Sequence, residues 1–205
     1  QREEGNWTHN AVVPLARLRG RTFGIVGLGR IGSAVALRAK SLGMDVAFFD
    51  PYVADGIDKS LGIRRMECLE ELLRASHILS LHTPGSTETQ NLLNSETISL
   101  LPRGAFLVNT ARGTITDPDA VVDALACGHL AGAAIDVLPQ EPPPPDSAFL
   151  QAWRDPNHPA FTRLILNPHS AFYCEEGMDD MRIKGSENCR RAILGESIRN
   201  VVNGL

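Results

Sequence analysis

Residues 26 to 50, VGLGRIGSAVALRAKSLGMDVAFFD, leave few folds open. Gly27, Gly29 and Gly32 form a G-x-G-x-x-G pattern, and Asp50 stands eighteen residues after the last of them. Glycines alone are weak evidence, because any strand-to-helix turn favours them. Here the apolar run TFGIVG (22–27) precedes the turn and SAVALRAKSL follows it, so the pattern reads as strand, turn and helix. In that setting Gly27 permits the tight turn, Gly29 lets the backbone approach a pyrophosphate, and Gly32 lets the helix lie close to the strand. The phosphates then meet the unpaired N–H groups of the first helical turn. Arg30 and Ile31 belong to the same candidate cofactor site; Arg30 either adds charge there or is a plain exposed turn residue. Asp50, closing the second strand, can accept hydrogen bonds from ribose hydroxyls and would repel a 2′-phosphate. No arginine follows it in DPYV, which favours NAD over NADP. The alternative is an aspartate that only caps the turn before Pro51.

The rest of the chain repeats the alternation. Strand candidates are TFGIVG (22–27), DVAFFD (45–50), HILSLH (77–82), AFLVNT (105–110), GAAIDV (132–137) and RLILNP (163–168), with a weaker one, GIRRM, at 62–66. Segments of helical period separate them, which predicts an α/β fold: a doubly wound parallel sheet of Rossmann type. In the first such segment Ile31, Val35, Ala39 and Leu42 recur at helical spacing, and Gly43 stands where a helix ends on a left-handed residue. Asp117 and Pro118 supply an N-cap and a first-turn proline for a later helix. The proline-rich stretch 139–161 reads as an extended surface loop. A long helix is expected from about residue 175 to 194. The predicted organisation is a connecting helix or linker at 1–18, the dinucleotide domain at 19–172, and a C-terminal helix and tail at 173–205.

Composition removes several function classes. A chain of 205 residues with 43% hydrophobic residues and a net charge of −4 can bury a core, and it has no basic excess to attract nucleic acid or anionic lipid. Cys68, Cys127, Cys174 and Cys189 form no C-x-x-C pair, so neither a metal site nor a disulfide framework is expected, and a reducing, cytoplasmic setting fits best. No apolar run is long enough to span a bilayer, and QREEGNWTHN lacks the features of a secretion signal. The opening residues read like the middle of a longer protein. His77 and His82 are taken as packing or turn residues, and His129 and His158 as surface residues.

Four motifs, GRTFGIVGLGRIG, AFLVNTARGTITD, LAGAAIDVLPQEPP and LNPHSAFY, resemble in order and spacing the cofactor half of the D-isomer-specific 2-hydroxyacid dehydrogenases, over about residues 15–205. Within that family, AVALRAKSLGMDVAFFDPYVADGIDKSLGI and RRAILG look most like the C-terminal-binding proteins, NAD-sensing corepressors. The resemblance implies that Arg112 holds a substrate carboxylate and carbonyl oxygen, that His169 is the proton donor and acceptor, and that Glu141 partners that histidine. It also implies that Asp136 binds the nicotinamide carboxamide and that Thr83, Pro84 and Thr110 line the cofactor. The chemistry agrees: a guanidinium grips a carboxylate with two parallel hydrogen bonds, and an imidazole moves protons near neutrality. Each residue also has a bland reading: Arg112 as a surface charge, Glu141 as a solvated loop residue, His169 as a turn residue.

Two functions follow from the resemblance. One is an NAD-dependent oxidoreductase interconverting a D-2-hydroxy acid and its 2-keto acid, a homodimer in the cytoplasm. The other is an NAD-sensing scaffold, nuclear if it acts as a corepressor, in which the chemistry is secondary. Where corepressor relatives carry a tryptophan after the catalytic histidine, this chain has Phe172 and Tyr173, which leaves side-chain preference open. The family's substrate domain comes mostly from residues ahead of the first Rossmann strand, so the sequence given is expected to bind NAD but to reduce keto acids feebly.

Overall fold

The computed structural model describes residues 15–201. They divide into two compact units, one ending at Asn167 and one beginning at Pro168. Most of the connecting segment expected at 1–18 lies outside the described residues.

The first unit is built on seven parallel strands: β1 (Thr22–Val26), β2 (Asp45–Phe49), β3 (Arg64–Arg65), β4 (Ile78–Leu81), β5 (Ala105–Asn109), β6 (Leu130–Ile135) and β7 (Leu164–Leu166). They lie in the order β3-β2-β1-β4-β5-β6-β7, the doubly wound order in which the chain starts in the middle and reverses direction once. The helices are α1 (Arg30–Ser41), α2 (Ile57–Leu61), α3 (Leu69–Ala75), α4 (Ser95–Ser99), α5 (Pro118–Ala126) and α6 (Ala148–Arg154). Side chains alternate across the strands, and that alternation makes two cores. Ile25, Val46 and Phe48 face α1, packing with Ala36, Ala39 and Ile63. Val26, Ala47, Leu79, Leu81 and Leu107 face the other way, against Leu72 and Leu73 of α3, Ile98 of α4, Val121 and Leu125 of α5, and Phe149 of α6. A buried parallel sheet has no polar face, which is why its strands read as short continuous apolar runs.

The helix after the glycine turn departs from the expected face. Its buried residues are Gly32, Ala36 and Ala39, whereas Ile31 is 65% and Leu42 61% exposed. Small residues let the helix sit close to the strand, and the bulkier residues at its two ends turn outward. Gly43 is left-handed as expected, with φ 75°, and its N–H donates to Lys40 O at 2.8 Å. The 139–161 stretch is not loop throughout. Its proline run ends at Pro145, Ser147 then caps a helix by accepting from Leu150 N–H, and Phe149, Leu150 and Ala152 of that helix enter the core. Proline forbids a ladder only where it stands, and the AFLQAWR segment beyond it contains none. β6 starts at Leu130, two residues before the expected position, and β3 keeps only Arg64 and Arg65 of GIRRM. His129 and His158 are half-buried rather than superficial: His129 Nε2 is hydrogen-bonded to Ile98 O at 3.0 Å, and His158 Nδ1 accepts from Ala160 N–H at 3.1 Å.

The second unit holds α7 (Glu175–Ile193), matching the expected long helix to within a residue. Cys174 caps it, its Sγ accepting from Gly177 N–H at 3.2 Å, and Arg190 and Arg191 pair with Glu187 and Glu196 around its last turn. No helix among the described residues is long and apolar enough to cross a membrane.

Candidate cofactor cleft and its neighbouring turns

Strand order reverses between β1 and β4, so the loops at their carboxyl ends diverge and leave a crevice. There the structure has a cleft of about 310 Å³, lined among others by Val26, Gly27, Gly29, Phe49, Asp50, Tyr52, His82, Thr83, Pro84 and Glu88. The three glycines have three different reasons to be glycine. Gly27 has φ 89°, and a Cβ on it would lie 2.9 Å from the His82 carbonyl. A Cβ on Gly32 would lie 2.2 Å from Gly27 O, so helix and strand meet only because it has none. Gly29 has φ −73°, ordinary for any residue, and a Cβ there would meet nothing within 4 Å. The protein gives no packing reason for a glycine at that position, but a ligand approaching the backbone from the cleft does. The first N–H groups of α1 start beside it, and these lack partners within any helix. The residues therefore fit a dinucleotide.

Asp50 is half-buried, lines the cleft and caps turns with both carboxylate oxygens. Its Oδ2 accepts from Leu28 N–H at 2.8 Å, pinning the glycine turn, and its Oδ1 accepts from Tyr52 N–H at 2.9 Å, closing the turn before Pro51. It thus caps two turns while lining the cleft. An arginine does reach this region, though not from the DPYV segment. Arg65, on β3, donates to Val53 O at 2.9 Å and Asp50 O at 3.3 Å, and pairs with Asp55 at 3.0 Å. Three acceptors hold it, and neither lysine nor arginine lines the cleft.

His82 belongs to the site rather than to packing alone. It lines the cleft, its Nε2 is hydrogen-bonded to the buried Ser80 Oγ at 2.9 Å, and burial lowers its pKa below the usual imidazole value. Beside it, Thr83 Oγ1 is buried without a hydrogen-bond partner among the described residues. Across the cleft mouth the phenol of Tyr52 donates to the Glu88 carboxylate, and that hydrogen bond raises the tyrosine pKa. Sequence reading missed His82, Tyr52 and Glu88, since only the fold brings the β2 and β4 loops to one opening.

The loop that carries Thr83 and Pro84 is stitched to the Arg112 turn. Asn91 N–H donates to Thr114 O at 2.9 Å, Leu93 N–H donates to Ile115 O at 3.0 Å, and a Cβ on Gly85 would lie 3.3 Å from Arg112 Cγ. Asn109, fully buried at the end of β5, shapes that turn. Its side-chain amide donates to Arg112 O at 3.0 Å and Thr116 Oγ1 at 2.9 Å, while its Oδ1 accepts from Ala111 N–H at 3.0 Å. Arg112 and Thr110 are left exposed on the outside of the turn. Gly113 closes it against the next segment: a Cβ there would lie 1.9 Å from Leu138 C. Leu138 N–H in turn donates to Glu141 Oε1 at 2.8 Å, so Arg112 and Glu141 stand on backbone segments in direct contact. Asp136, 4% exposed, follows β6 and donates its N–H to Asn109 O at 2.9 Å. His169 lies in the second unit. It is half-buried, has φ 50° and makes an edge-to-face contact with Phe172 at 5.9 Å. Left-handed backbone is uncommon for a residue with a Cβ, although histidine tolerates it better than most.

Residues 1–171 match the family model described as D-isomer specific 2-hydroxyacid dehydrogenase, NAD binding domain. The chain is 38% identical over 197 residues to D-3-phosphoglycerate dehydrogenase of Bacillus subtilis, spanning 96% of this chain and 35% of that enzyme. It is 38% identical over 203 residues to glyoxylate reductase of Korarchaeum cryptofilum, spanning 98% of this chain and 58% of that one. Among solved structures, D-lactate dehydrogenase from Aquifex aeolicus, complexed with NAD and lactic acid, superposes with a TM-score of 0.82 at 29% identity, covering 95% of this chain and 60% of its own. The chain thus spans between about a third and three fifths of the length of these relatives.

Proposed function

The chain belongs to the D-isomer specific 2-hydroxyacid dehydrogenases through their NAD-binding domain, and from that premise we propose that it serves the NAD-dependent interconversion of a D-2-hydroxy acid and its 2-keto acid. The observation that carries this reading is the cleft: a glycine with no packing reason to be one, facing an opening that contains Asp50 and no lysine or arginine. Asp50 takes the ribose hydroxyls, and the carboxylate-lined cleft favours NAD over its 2′-phosphorylated form. Arg30 and Ile31 supply first-turn N–H groups to the pyrophosphate, Thr83, Pro84 and Thr110 form the cofactor wall, and Asp136 holds the carboxamide. Bound NADH supplies the hydride for the carbonyl carbon of the keto acid. Arg112 grips the substrate carboxylate with its planar fork. His169 gives the proton to the oxygen that becomes the hydroxyl, and Glu141 orients its ring.

A homodimer and a cytoplasmic location are parts of this reading, supported by the family resemblance. The corepressor branch rests on the resemblance of residues 34–63 and 190–195. The relatives reported above are metabolic dehydrogenases and a reductase, which favours the enzyme.

The test follows NADH oxidation across a panel of small and aromatic 2-keto acids by the full-length protein that includes this chain, and by its Arg112→Lys and His169→Ala variants. General acid catalysis contributes about a hundred- to ten-thousand-fold, so His169→Ala should lose turnover on that scale while binding NADH normally. Arg112→Lys should lose keto-acid affinity as well as turnover. A keto acid turned over equally by all three would defeat the assignment.

A further inference from the structure

The cleft has a second carboxylate, and it is tied to the first. Tyr52 N–H donates to Asp50 Oδ1, and the phenol of the same residue donates to Glu88. One residue therefore links the acid at the end of β2 to an acid in the loop after β4, and all three line the opening. The ring of Tyr52 is 78% exposed, so burial does not hold it there; the two hydrogen bonds do. Glu88 is exposed too, and among the described residues its hydrogen bonds and ion pairs include no basic partner, so its negative charge is uncompensated there. Arg65, on β3, is held by Asp55 and two carbonyl oxygens.

We infer that Glu88, positioned by Tyr52, is a second determinant of cofactor selectivity: it rejects the 2′-phosphate of NADP by charge. This inference rests on the assignment of the cleft to a dinucleotide. Asp50 discriminates by contact as well as by charge, since its carboxylate bonds ribose hydroxyls, one of which a 2′-phosphate replaces. Glu88 touches neither hydroxyl in this scheme. It adds repulsion against a group carrying nearly two negative charges, in an opening whose lining has no lysine or arginine. Repulsion of that kind is screened by salt, whereas loss of a hydrogen bond is not. Selectivity should therefore have a salt-dependent share, and the part of it that disappears when Glu88 is neutralised belongs to Glu88.

The experiment is a calorimetric titration of the chain with NAD and with NADP, at low and at high salt, for the parent, Glu88→Gln and Tyr52→Phe. Glutamine keeps an oxygen for the tyrosine hydroxyl and removes only the charge. Glu88→Gln should bind NADP about three- to tenfold more tightly at low salt and NAD within about twofold of the parent, and high salt should erase most of the difference. Tyr52→Phe, which frees Glu88 to swing into solvent, should shift the NAD-to-NADP ratio in the same direction by a smaller factor. An unchanged ratio in Glu88→Gln overturns the inference, whatever Tyr52→Phe does. A parent that binds neither dinucleotide overturns the cofactor assignment itself; a parent that prefers NAD with an unchanged ratio in Glu88→Gln overturns this inference alone.

Discussion

Replacing single glycines of the turn by alanine should separate folding from cofactor binding. In Gly32→Ala the new methyl arrives 2.2 Å from Gly27 O and 3.3 Å from Ile25 Cγ2. Carbon atoms prefer about 3.5–4.0 Å from their neighbours, so something must retreat by more than about 1 Å. Gly27 cannot do so cheaply, because its N–H is bonded to Phe49 O at 2.9 Å and its left-handed backbone leaves no room for even a Cβ beside the His82 carbonyl. Overpacking of this kind costs about 1–3 kcal/mol, and for a domain this size each kcal/mol lowers Tm by about 2–4 °C. Gly29→Ala is the opposite case. Its backbone is ordinary and its methyl meets nothing. The entropy removed from the unfolded chain gains about 0.4–1 kcal/mol, and the poorer N-cap loses a similar amount, so the two nearly cancel. The methyl does, however, stand where a pyrophosphate approaches. Urea melts should place Gly29→Ala within about 1 kcal/mol of the parent, while NAD titration shows affinity lowered at least tenfold, roughly 1.4 kcal/mol. Gly32→Ala should fail in both assays. A Gly29→Ala protein that binds NAD like the parent would refute the reasoning, since the open space at that position would then have no ligand to explain it.

Asn109→Ala should cost about 2–4 kcal/mol in a urea melt, because a fully buried side chain loses three hydrogen bonds at once, and it should impair keto-acid binding through Arg112 before it affects NAD. Asp50→Ala should weaken NAD binding, narrow the preference over NADP and lower stability, since Leu28 N–H and Tyr52 N–H both lose their acceptor; titration and melting read the effects separately. His82 gives a pH signature. Burial favours its neutral form in the folded state, so the unfolded chain takes up the proton first as pH falls through about 6.5. Stability should therefore decline from that pH downward and level off once the folded histidine is also protonated. Urea midpoints for the parent and His82→Asn should diverge at higher pH and converge on acidification, and parallel curves would show that His82 carries no such linkage.

The residues legible in advance were those whose type answers a local backbone demand. Gly27, Gly32 and Gly43 had to be glycine for reasons within a few positions of themselves, and Asp117 with Pro118 announced a helix start that the structure has. Runs such as AFLVN and DVAFF read as strands because both faces of the sheet are covered. What escaped notice acts over distance. Arg65 reaches the turn after Asp50 from fifteen residues on, Glu88 meets Tyr52 across thirty-six, and Gly113 packs on Leu138. No periodicity encodes such pairs. The prolines at 142–145 drew attention away from Ser147, whose capping oxygen starts a helix of three buried residues. Asp50 was read as a choice between ligand contact and turn cap, but a carboxylate has two oxygens with lone pairs to spare, and here those oxygens secure two turns while facing the cleft.

The sheet also tapers. Its interior strands run four to six residues, but the outermost ones, β3 and β7, have two and three. A foreign strand adding to either margin would find one or two ladder bonds instead of four or five, and at β3 it would also meet two arginines. Parallel sheets form slowly and show their strands while doing so, so blunt margins protect most during synthesis and refolding. Lengthening β3 with apolar residues, harmless to every contact in the folded core, would turn a self-limiting sheet into a template for aggregation.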